Sequence, residues 1–157
     1  MENVIIRFAN KKDLNEILLL SDKLTLADLP FDREVDINWA HTENGKKYYT
    51  EKINKTNGVC FIADLKGEVV GYLTAGEMEI PTYRKVTVSE ITNVFVKEAF
   101  RSKGVGKMLM EAFKNWAKEK GSDKIAVNVF ALNEKAIKFY KREGLIPQDM
   151  TLEMNIK

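Results

Sequence analysis

The sequence has little cysteine, histidine or proline. Its 157 residues include one cysteine, one histidine and three prolines. One cysteine cannot close an internal disulfide, and a single cysteine with a single histidine cannot complete a zinc site. Cys60 lies in a short apolar run, which predicts a buried thiol, and His41 lies in a segment of mixed polarity, which predicts a surface or helix-packing role. These scarcities predict a function that uses neither metal nor histidine chemistry.

The sequence also has little net charge and no long hydrophobic run. Its 25 basic and 23 acidic residues leave a net charge of only +2, so charge gives no reason to expect a nucleic acid or a membrane surface as partner. No stretch reaches the roughly 20 apolar residues that span a bilayer. The first residues, Met1, Glu2 and Asn3, lack the features of a signal peptide. We therefore expect a cytoplasmic protein without nucleic-acid or membrane partners.

The chain length and the order of predicted elements indicate one domain, residues 1–157. Asn10, three residues before Asp13, predicts the start of a first helix. Residues 25–57 carry few signals, and we expect one or two helices joined by a mobile loop there. Alternation and helical spacing of apolar residues predict strands at 4–8, 59–64, 69–75, 86–97, 125–130 and 150–156, and helices at 104–120 and 133–142. This order predicts an α/β (α+β) fold, with a mixed, mostly antiparallel central sheet of about six to seven strands and helices on both faces.

A glycine-containing turn at residues 100–107 separates a predicted strand from the clearest predicted helix. Glycines at 104 and 106 remove side chains where a backbone has to approach a ligand closely, and the first turn of a helix leaves N–H groups unpaired. Such a turn can hold a phosphate. The residues match neither a P-loop nor a dinucleotide-binding fingerprint, because Arg101 and Leu109 stand where those motifs need glycine. A glycine-rich turn without a ligand is the alternative.

Two motifs together resemble the acetyl-CoA-binding core of the GNAT N-acetyltransferases. The first is Arg101-x-x-Gly104-x-Gly106 after a strand, and the second, about 30 residues later, is Asn133-x-x-Ala136-x-x-Phe139-Tyr140 followed by Gly144-Leu145. The resemblance extends from about residue 4 to the end of the chain, except for residues 25–57. That exception corresponds to the part of the fold in which the family varies its acceptor site. The predicted sheet and helices agree with a GNAT-like fold.

The resemblance implies which residues bind the cofactor. The backbone amides of residues 102–107 would hold the pyrophosphate of coenzyme A, with Arg101 at the start of the loop. The end of the preceding strand would separate from its neighbour and pair with the pantetheine amides. Asn133 would reach the cofactor, although an asparagine there is also a good helix N-cap. The implied cofactor-binding residues are Val94, Phe95, Val96, Arg101, Ser102, Lys103, Gly104, Val105, Gly106, Lys107, Asn133 and Tyr140.

The resemblance also implies two catalytic side chains. Tyr140 could donate a proton to the departing thiolate of coenzyme A, or it could be a core aromatic. Glu90 lies 11 residues before Arg101, as does the catalytic glutamate of the histone-modifying branch of the family, and could take the proton of the acceptor amine. An exposed glutamate at a sheet edge is the alternative, since many members use a water chain. Period-2 alternation predicts Glu90, Thr92, Val94 and Val96 on one face of the strand, and a backbone N–H at residue 94 or 95 would meet the oxyanion.

These inferences predict an enzyme that transfers the acetyl group of acetyl-CoA directly to a primary amine of a small molecule, peptide or protein, without a metal. The alternative is a non-catalytic acyl-CoA-binding or regulatory module of the same fold. Residues 25–57 and 79–85 are expected to form the acceptor walls. Their acidic residues, Asp28, Asp32, Glu34, Asp36 and Glu79, could attract a cationic amine or simply form a solvated face. The sequence leaves open whether the chain forms a homodimer, as many members of the family do.

Overall fold

The computed structural model describes residues 3–157, so the first two residues, on which the signal-peptide expectation partly depends, lie outside it. Five strands and four helices follow one another with three short 3₁₀ turns between them. The elements are β1 Val4–Phe8, α1 Leu14–Asp28, α2 Glu43–Asn54, β2 Val59–Leu65, β3 Glu68–Glu77, β4 Val88–Val96, α3 Val105–Glu119, β5 Lys124–Val127 and α4 Glu134–Arg142. Of the described helices, none is both long enough and apolar enough to cross a membrane.

The strands form one sheet in the order β1-β2-β3-β4-β5. Neighbours from β1 to β4 pair antiparallel, and β4 pairs parallel with β5. Helix α3 makes the crossover that a parallel pair requires. The mixed, mostly antiparallel sheet is therefore confirmed, but the expected count of six to seven strands is wrong, because the described chain forms five.

Helices cover both faces of the sheet, as predicted. On one face, α3 contributes Val105, Leu109 and Phe113 to a core cluster that also contains Tyr140 of α4. On the other face, α1 and α2 contribute Ile17, Leu20, Tyr49 and Ile53 to a second cluster. We call these the α3 face and the α1/α2 face. The two clusters explain why the buried strands β2 and β3 are apolar on both sides.

The start of the first helix follows from local capping. Asn10 caps a 3₁₀ turn, its side chain accepting from the Lys12 N–H, while the Asp13 carboxylate accepts from the Asn10 N–H at 2.8 Å. Asp13 also binds Arg7 of β1 through two nitrogens, at 2.8 and 2.9 Å, and this pairing holds the pKa of Asp13 below its usual range. The predicted helix-start signal at Asn10 is confirmed.

The last predicted strand, at residues 150–156, is not formed. No strand is assigned after α4 in the described chain, and the apolar side chains of this segment are exposed. The predicted strand at 125–130 is also shorter, since β5 ends at Val127. In the 25–57 region the structure has one complete helix, α2, which is capped by Thr42 and follows the last turn of α1.

Candidate active site

The turn between β4 and α3 has a backbone that only certain residues adopt easily. Gly104 takes a left-handed conformation at φ 86° immediately before α3, and Ser102 is also left-handed at φ 57°. No side chain caps the N-terminus of α3, so its first N–H groups have no side-chain partner. Residues 101–104 are exposed. We call residues 101–107, which include the first residues of α3, the 101–107 loop.

Contacts with β4 hold the 101–107 loop in place. The Arg101 Nε donates to the Val96 carbonyl oxygen at 2.9 Å, and its guanidinium lies 5.1 Å from the centre of the Phe95 ring. Gly106 has a different role from Gly104, because its φ is not positive and an added Cβ would only touch the Phe139 ring at 3.4 Å. The protein itself therefore imposes no strong need for glycine at 106.

The two halves of β4 differ in their pairing. Ser89–Ile91 pair with β5 on one side and β3 on the other, whereas Val94, Phe95 and Val96 pair with β3 alone. The side of β4 that faces away from β3 therefore has unpaired backbone groups next to the 101–107 loop. The resemblance implied a separation of strands at residues 94–96, and the pairing agrees with that geometry, while the binding of a cofactor there stays a prediction.

A β-bulge at Thr92 corrects the predicted alternation. The register with β3 shifts there, since Thr74 pairs with Asn93 and Ala75 pairs with Ile91. Val94 and Val96 consequently pack on the α3 face, whereas Thr92 contacts Tyr48 of α2 on the opposite face. The expectation that Glu90, Thr92, Val94 and Val96 share one face is wrong, because the extra residue reverses the alternation.

A hydrogen-bonded group fixes this bulge. The Tyr48 hydroxyl lies 2.5 Å from the Thr92 Oγ1 and 3.1 Å from the Asn93 Oδ1. The Thr74 Oγ1 lies 2.8 Å from the Thr92 Oγ1 and 3.0 Å from the Asn93 Oδ1. Sequence reasoning missed Tyr48, Thr74 and Asn93, because their association depends on α2 packing across β3 and β4.

Tyr140 is buried, with 7% of its surface exposed, in the cluster on the α3 face, and Val94 packs against that cluster. Burial raises the pKa of its phenol above the ordinary value of about 10, so the proton stays on the oxygen at neutral pH. At the start of the same helix, the Asn133 Oδ1 accepts from the Ala136 N–H at 3.2 Å. The N-cap role of Asn133 is therefore observed.

Glu90 lies beside a buried lysine that the sequence reasoning missed. Burial raises the pKa of the Glu90 carboxyl, and the positive charge of Lys52 partly opposes that rise. Lys52 of α2 is 4% exposed, and burial lowers the pKa of its ammonium. A Cβ added to Gly58 or Gly76 would lie 2.7 Å from the Lys52 Nζ, so these glycines make the space that the ammonium occupies.

A helical pattern could have located Lys52. Tyr49, Lys52 and Ile53 lie at i, i+3 and i+4 on α2, the spacing of one buried face. Among residues 3–157, none of the side-chain hydrogen bonds or ion pairs involves Lys52, although its charge lies close enough to act on Glu90. The pair therefore consists of two partly desolvated charges without direct contact.

An open cleft of about 290 Å³ lies on the α1/α2 face. Two carboxylates, Asp28 and Asp36, and the indole of Trp39 line it, and Asn93 of β4 connects it to the bulge. We call it the acidic cleft. Burial, followed by the nearby charge of Asp32, raises the pKa of Asp28. The structure places Asp32 and Glu34 outside the cleft lining, and residues 79–82 and Arg84 line a different cleft.

Cys60 and His41 have the surroundings that the sequence predicted. Cys60 is buried in β2, and burial raises the pKa of its thiol. His41 connects a 3₁₀ turn to α1 through its Nε2, 2.7 Å from the Asp22 Oδ2. In residues 3–157 no group of three or more metal-ligating side chains comes together.

Comparisons with known proteins identify the class. The model of the acetyltransferase (GNAT) family matches residues 24–145. An uncharacterized N-acetyltransferase from Archaeoglobus fulgidus is 26% identical over 89% of this chain and 91% of its own length. An N-alpha-acetyltransferase from Sulfurisphaera tokodaii is also 26% identical, over 88% of this chain and 86% of its own length. The chain therefore belongs to the GNAT acetyltransferase family.

A solved structure with the same fold is the aminoglycoside acetyltransferase AAC(6')-Iy in complex with a bisubstrate analogue, CoA-S-monomethyl-acetylneamine. It superposes with a TM-score of 0.77 over 99% of both chains, at 21% sequence identity. That likeness shows the fold. The family and the named relatives make this chain an acetyl-CoA-dependent acyltransferase.

Proposed function

We propose that the protein transfers the acetyl group of acetyl-CoA directly to a primary amine of a small acceptor that carries more than one positive charge. The single observation that carries this proposal is the arrangement along β4. Its last residues lie beside the 101–107 loop with backbone groups unpaired, while Glu90 and Asn93 face the α1/α2 side with the acidic cleft. A place for the thioester and a place for the amine therefore meet at this strand.

The 101–107 loop fits a pyrophosphate, which is the anionic part of coenzyme A. The N-terminal N–H groups of α3, the left-handed Gly104 and the small Gly106 leave room for close approach of a phosphate. The backbone groups of Val94 and the N–H of Val96, which face away from β3, fit the amides of the pantetheine arm, whereas the Val96 carbonyl oxygen is bound by Arg101. The backbone N–H of Val94, which faces away from β3, would donate to the oxygen that gains negative charge during transfer. The bound cofactor supplies an activated acetyl group.

Two side chains are placed for proton transfer. A primary amine with a pKa of about 10.4 is protonated at neutral pH and has to lose a proton before it can attack. Glu90, whose carboxyl has a raised pKa, is the proposed base, directly or through water. Tyr140, on the α3 face, keeps its proton and is the proposed donor to the thiolate that leaves. The two groups lie on opposite faces of the sheet.

The acidic cleft supports a cationic acceptor. Asp28 and Asp36 both line it. Burial is the main cause of the raised pKa of Asp28, so a positively charged acceptor would offset the free-energy cost of keeping this carboxylate ionised. Trp39 adds an aromatic face, which also attracts cations. Two carboxylates in one cleft favour an acceptor with a second amino group, held while the first reacts.

The test is an acetylation assay over a panel of amines. The protein is incubated with acetyl-CoA and with a linear polyamine, an aminoglycoside, free lysine or a peptide with a free N-terminus, while release of coenzyme A thiol is followed. We expect the polyamine and the aminoglycoside to react with the highest kcat/KM. A higher kcat/KM for the peptide with a free N-terminus than for the polyamine and the aminoglycoside would overturn the proposed class of acceptor.

Thermal unfolding separates the cofactor from the acceptor. Coenzyme A is expected to raise the unfolding temperature, because a ligand that binds only the folded state stabilises it. Stabilisation without turnover on any amine would favour the non-catalytic acyl-CoA-binding module. Absence of stabilisation at millimolar coenzyme A would contradict the cofactor site itself.

A further inference from the structure

Two phenylalanine rings stack on each other outside both core clusters. The ring centres of Phe31 and Phe130 lie 5.8 Å apart, and the ring planes are inclined by only 20°. Phe130 is 39% exposed, and Phe31 is partly exposed. In the described chain neither ring belongs to the cluster on the α3 face or on the α1/α2 face, and neither is packed against them. The stack therefore joins two loops without forming part of the core.

Phe31 lies in the turn that follows α1, beside the acidic cleft. Its N–H donates to the Asp28 carbonyl oxygen at 2.8 Å, and the Asp32 N–H donates to the same oxygen at 3.0 Å. Asp28 lines the acidic cleft, and so do Val35 and Asp36 further along the same connection. The two hydrogen bonds therefore fix the backbone of Phe31 next to the carboxylates of the cleft.

Phe130 lies beyond the point at which β5 separates from β4. The last residues of the two strands that pair are Ile91 and Val127. Val94 and Phe130 each lie three residues further along the chain, so they stand on opposite sides of the gap between β4 and β5. Val129 packs against the cluster on the α3 face, whereas the stacking contact places the Phe130 ring on the α1/α2 side. The stack thus extends from the acidic cleft to this gap.

We propose that Phe31 and Phe130 determine acceptor specificity by contacting the hydrocarbon chain of a linear diamine or polyamine. The carboxylates of the acidic cleft hold one ammonium group, the methylene chain lies along the two rings, and the other amine reaches the gap beside Val94. This inference rests on the proposed function. It narrows the acceptor to an amine at the end of an apolar chain, in preference to an amino sugar.

The chemistry of the two rings favours methylene groups. A phenylalanine ring has no hydrogen-bonding atom, so a hydroxyl that lies against it loses water without gaining a new partner. A methylene group in the same position is stabilised, because the contact removes apolar surface from water. Leu24 and Val35, which line the acidic cleft, continue the apolar contact towards the carboxylates. An amine with hydroxyls beside it is therefore a poorer acceptor than a plain alkyl amine.

The test compares two diamines of equal length and charge. One is hexamethylenediamine, and the other is its analogue with a hydroxyl on the carbon next to each amine-bearing carbon. Release of coenzyme A thiol gives kcat/KM, calculated on the concentration of neutral amine so that a difference in amine pKa does not enter. We expect the unmodified protein to prefer the plain diamine at least about tenfold. Phe31→Ala and Phe130→Ala should each reduce this preference to within about threefold.

Phe8→Ala is the matched control. Phe8 is also an exposed ring in a stacked pair, with its centre 5.1 Å from that of Phe61. Phe61 belongs to the cluster on the α3 face, so the loss of the Phe8 ring should leave the preference between the diamines unchanged. Phe130→Leu keeps an apolar side chain and should retain most of the preference. A cooperative thermal transition is the check that each variant is folded.

The outcomes separate this inference from the proposed function. The inference alone is overturned if the unmodified protein acetylates both diamines equally well, or if the preference persists in both alanine variants. A decrease of kcat/KM by the same factor for both diamines would also contradict it, because the rings would then only support the loops. If neither diamine nor any other amine of the panel is acetylated, the proposed function fails, and the inference fails with it.

Discussion

The 101–107 loop and the acidic cleft lie on either side of β4 and are built from different groups. The loop consists of a left-handed Gly104, an uncapped helix start and the neighbouring backbone of residues 94–96. The cleft consists of side chains from α1, the following loop, a 3₁₀ turn, α2 and β4. The first region offers backbone amides close together in sequence, whereas the second offers carboxylates and aromatic rings brought together by tertiary packing.

This difference accounts for what each region can recognise. Backbone amides at a helix start bind an anion of any source, so the loop suits a cofactor that is the same for every member of the family. Side chains from several elements can be exchanged independently, so the cleft can specify an acceptor. Mutations on the two sides should consequently have separable effects on cofactor binding, turnover and acceptor affinity.

The largest effect is expected for Tyr140→Phe, on the α3 face. Loss of the phenolic proton should lower kcat by roughly 10³, within the range for a general acid, with little change in coenzyme A affinity. Steady-state kinetics and a binding titration check this. Tyr72→Phe removes a buried hydroxyl from the opposite cluster and should keep kcat within a few-fold. A Tyr140→Phe enzyme with normal turnover would leave Tyr140 as a core aromatic.

Glu90→Gln should give the next largest effect, on the acceptor side. Removing the proposed base is expected to lower kcat by roughly 10² and to shift the pH profile to higher pH, where more of the acceptor is already neutral. The exposed Glu77, at the end of β3, provides the control Glu77→Gln. If the pH profile of Glu90→Gln equals that of the unmodified enzyme, another carboxylate or a water chain removes the proton.

Gly106→Ala tests the loop through two opposite changes. Alanine is favoured over glycine within a helix by about 1 kcal/mol, and the added Cβ meets only the Phe139 ring, so the ligand-free protein should be as stable or slightly more stable. Affinity for coenzyme A should fall about tenfold, or about 1.4 kcal/mol, if the Cβ takes up space that we propose for the phosphate. Calorimetry measures both. Gly104→Ala, at φ 86°, should instead lower stability and affinity together.

The sequence predicts the loop far better than the cleft, for the same physical reason. The N-cap at Asn133, the turn at Gly104 and the helix that follows depend on neighbours within a few residues. The bulge at Thr92 depends on Tyr48, 44 residues away, and the position of Lys52 depends on Gly58 and on Gly76 of another element. No local pattern in β4 predicts that Thr92 is an extra residue, so simple alternation placed Val94 and Val96 on the wrong face of the sheet.

The C-terminal segment shows a different limit. Its alternating pattern correctly describes a strand with one apolar face, yet no partner strand exists for it in the described chain. A periodic pattern specifies which side chains need burial, whereas the sheet edge that buries them can belong to another molecule. The strand count was overestimated because the alternating pattern at residues 150–156 has no partner strand within the described chain.

Asp28→Asn should raise the KM of a polycationic amine about fivefold, which corresponds to about 1 kcal/mol. The affinity for coenzyme A should not change, because the acidic cleft and the 101–107 loop share no residue. Glu34→Gln removes a charge from the segment that follows α1, outside the cleft lining, and is the matched control. Equal increases of KM in the two variants would indicate that the acceptor responds to the overall negative charge of the region and not to a contact with Asp28 in the cleft.

The smallest expected effect concerns Lys52→Met and the ionisation of Glu90. The Lys52 charge lowers the pKa of Glu90 against the rise caused by burial, so its removal should raise that pKa further. Because the base acts as a carboxylate, activity is lost as the pH falls through its pKa, and the acid limb of the kcat/KM profile should move to higher pH. Lys47→Met removes an exposed charge from the same helix and should leave the limb in place. A purely structural role of Lys52 would lower stability without moving the limb, whereas an acid limb that moves to lower pH would contradict the stabilisation of the Glu90 carboxylate by Lys52.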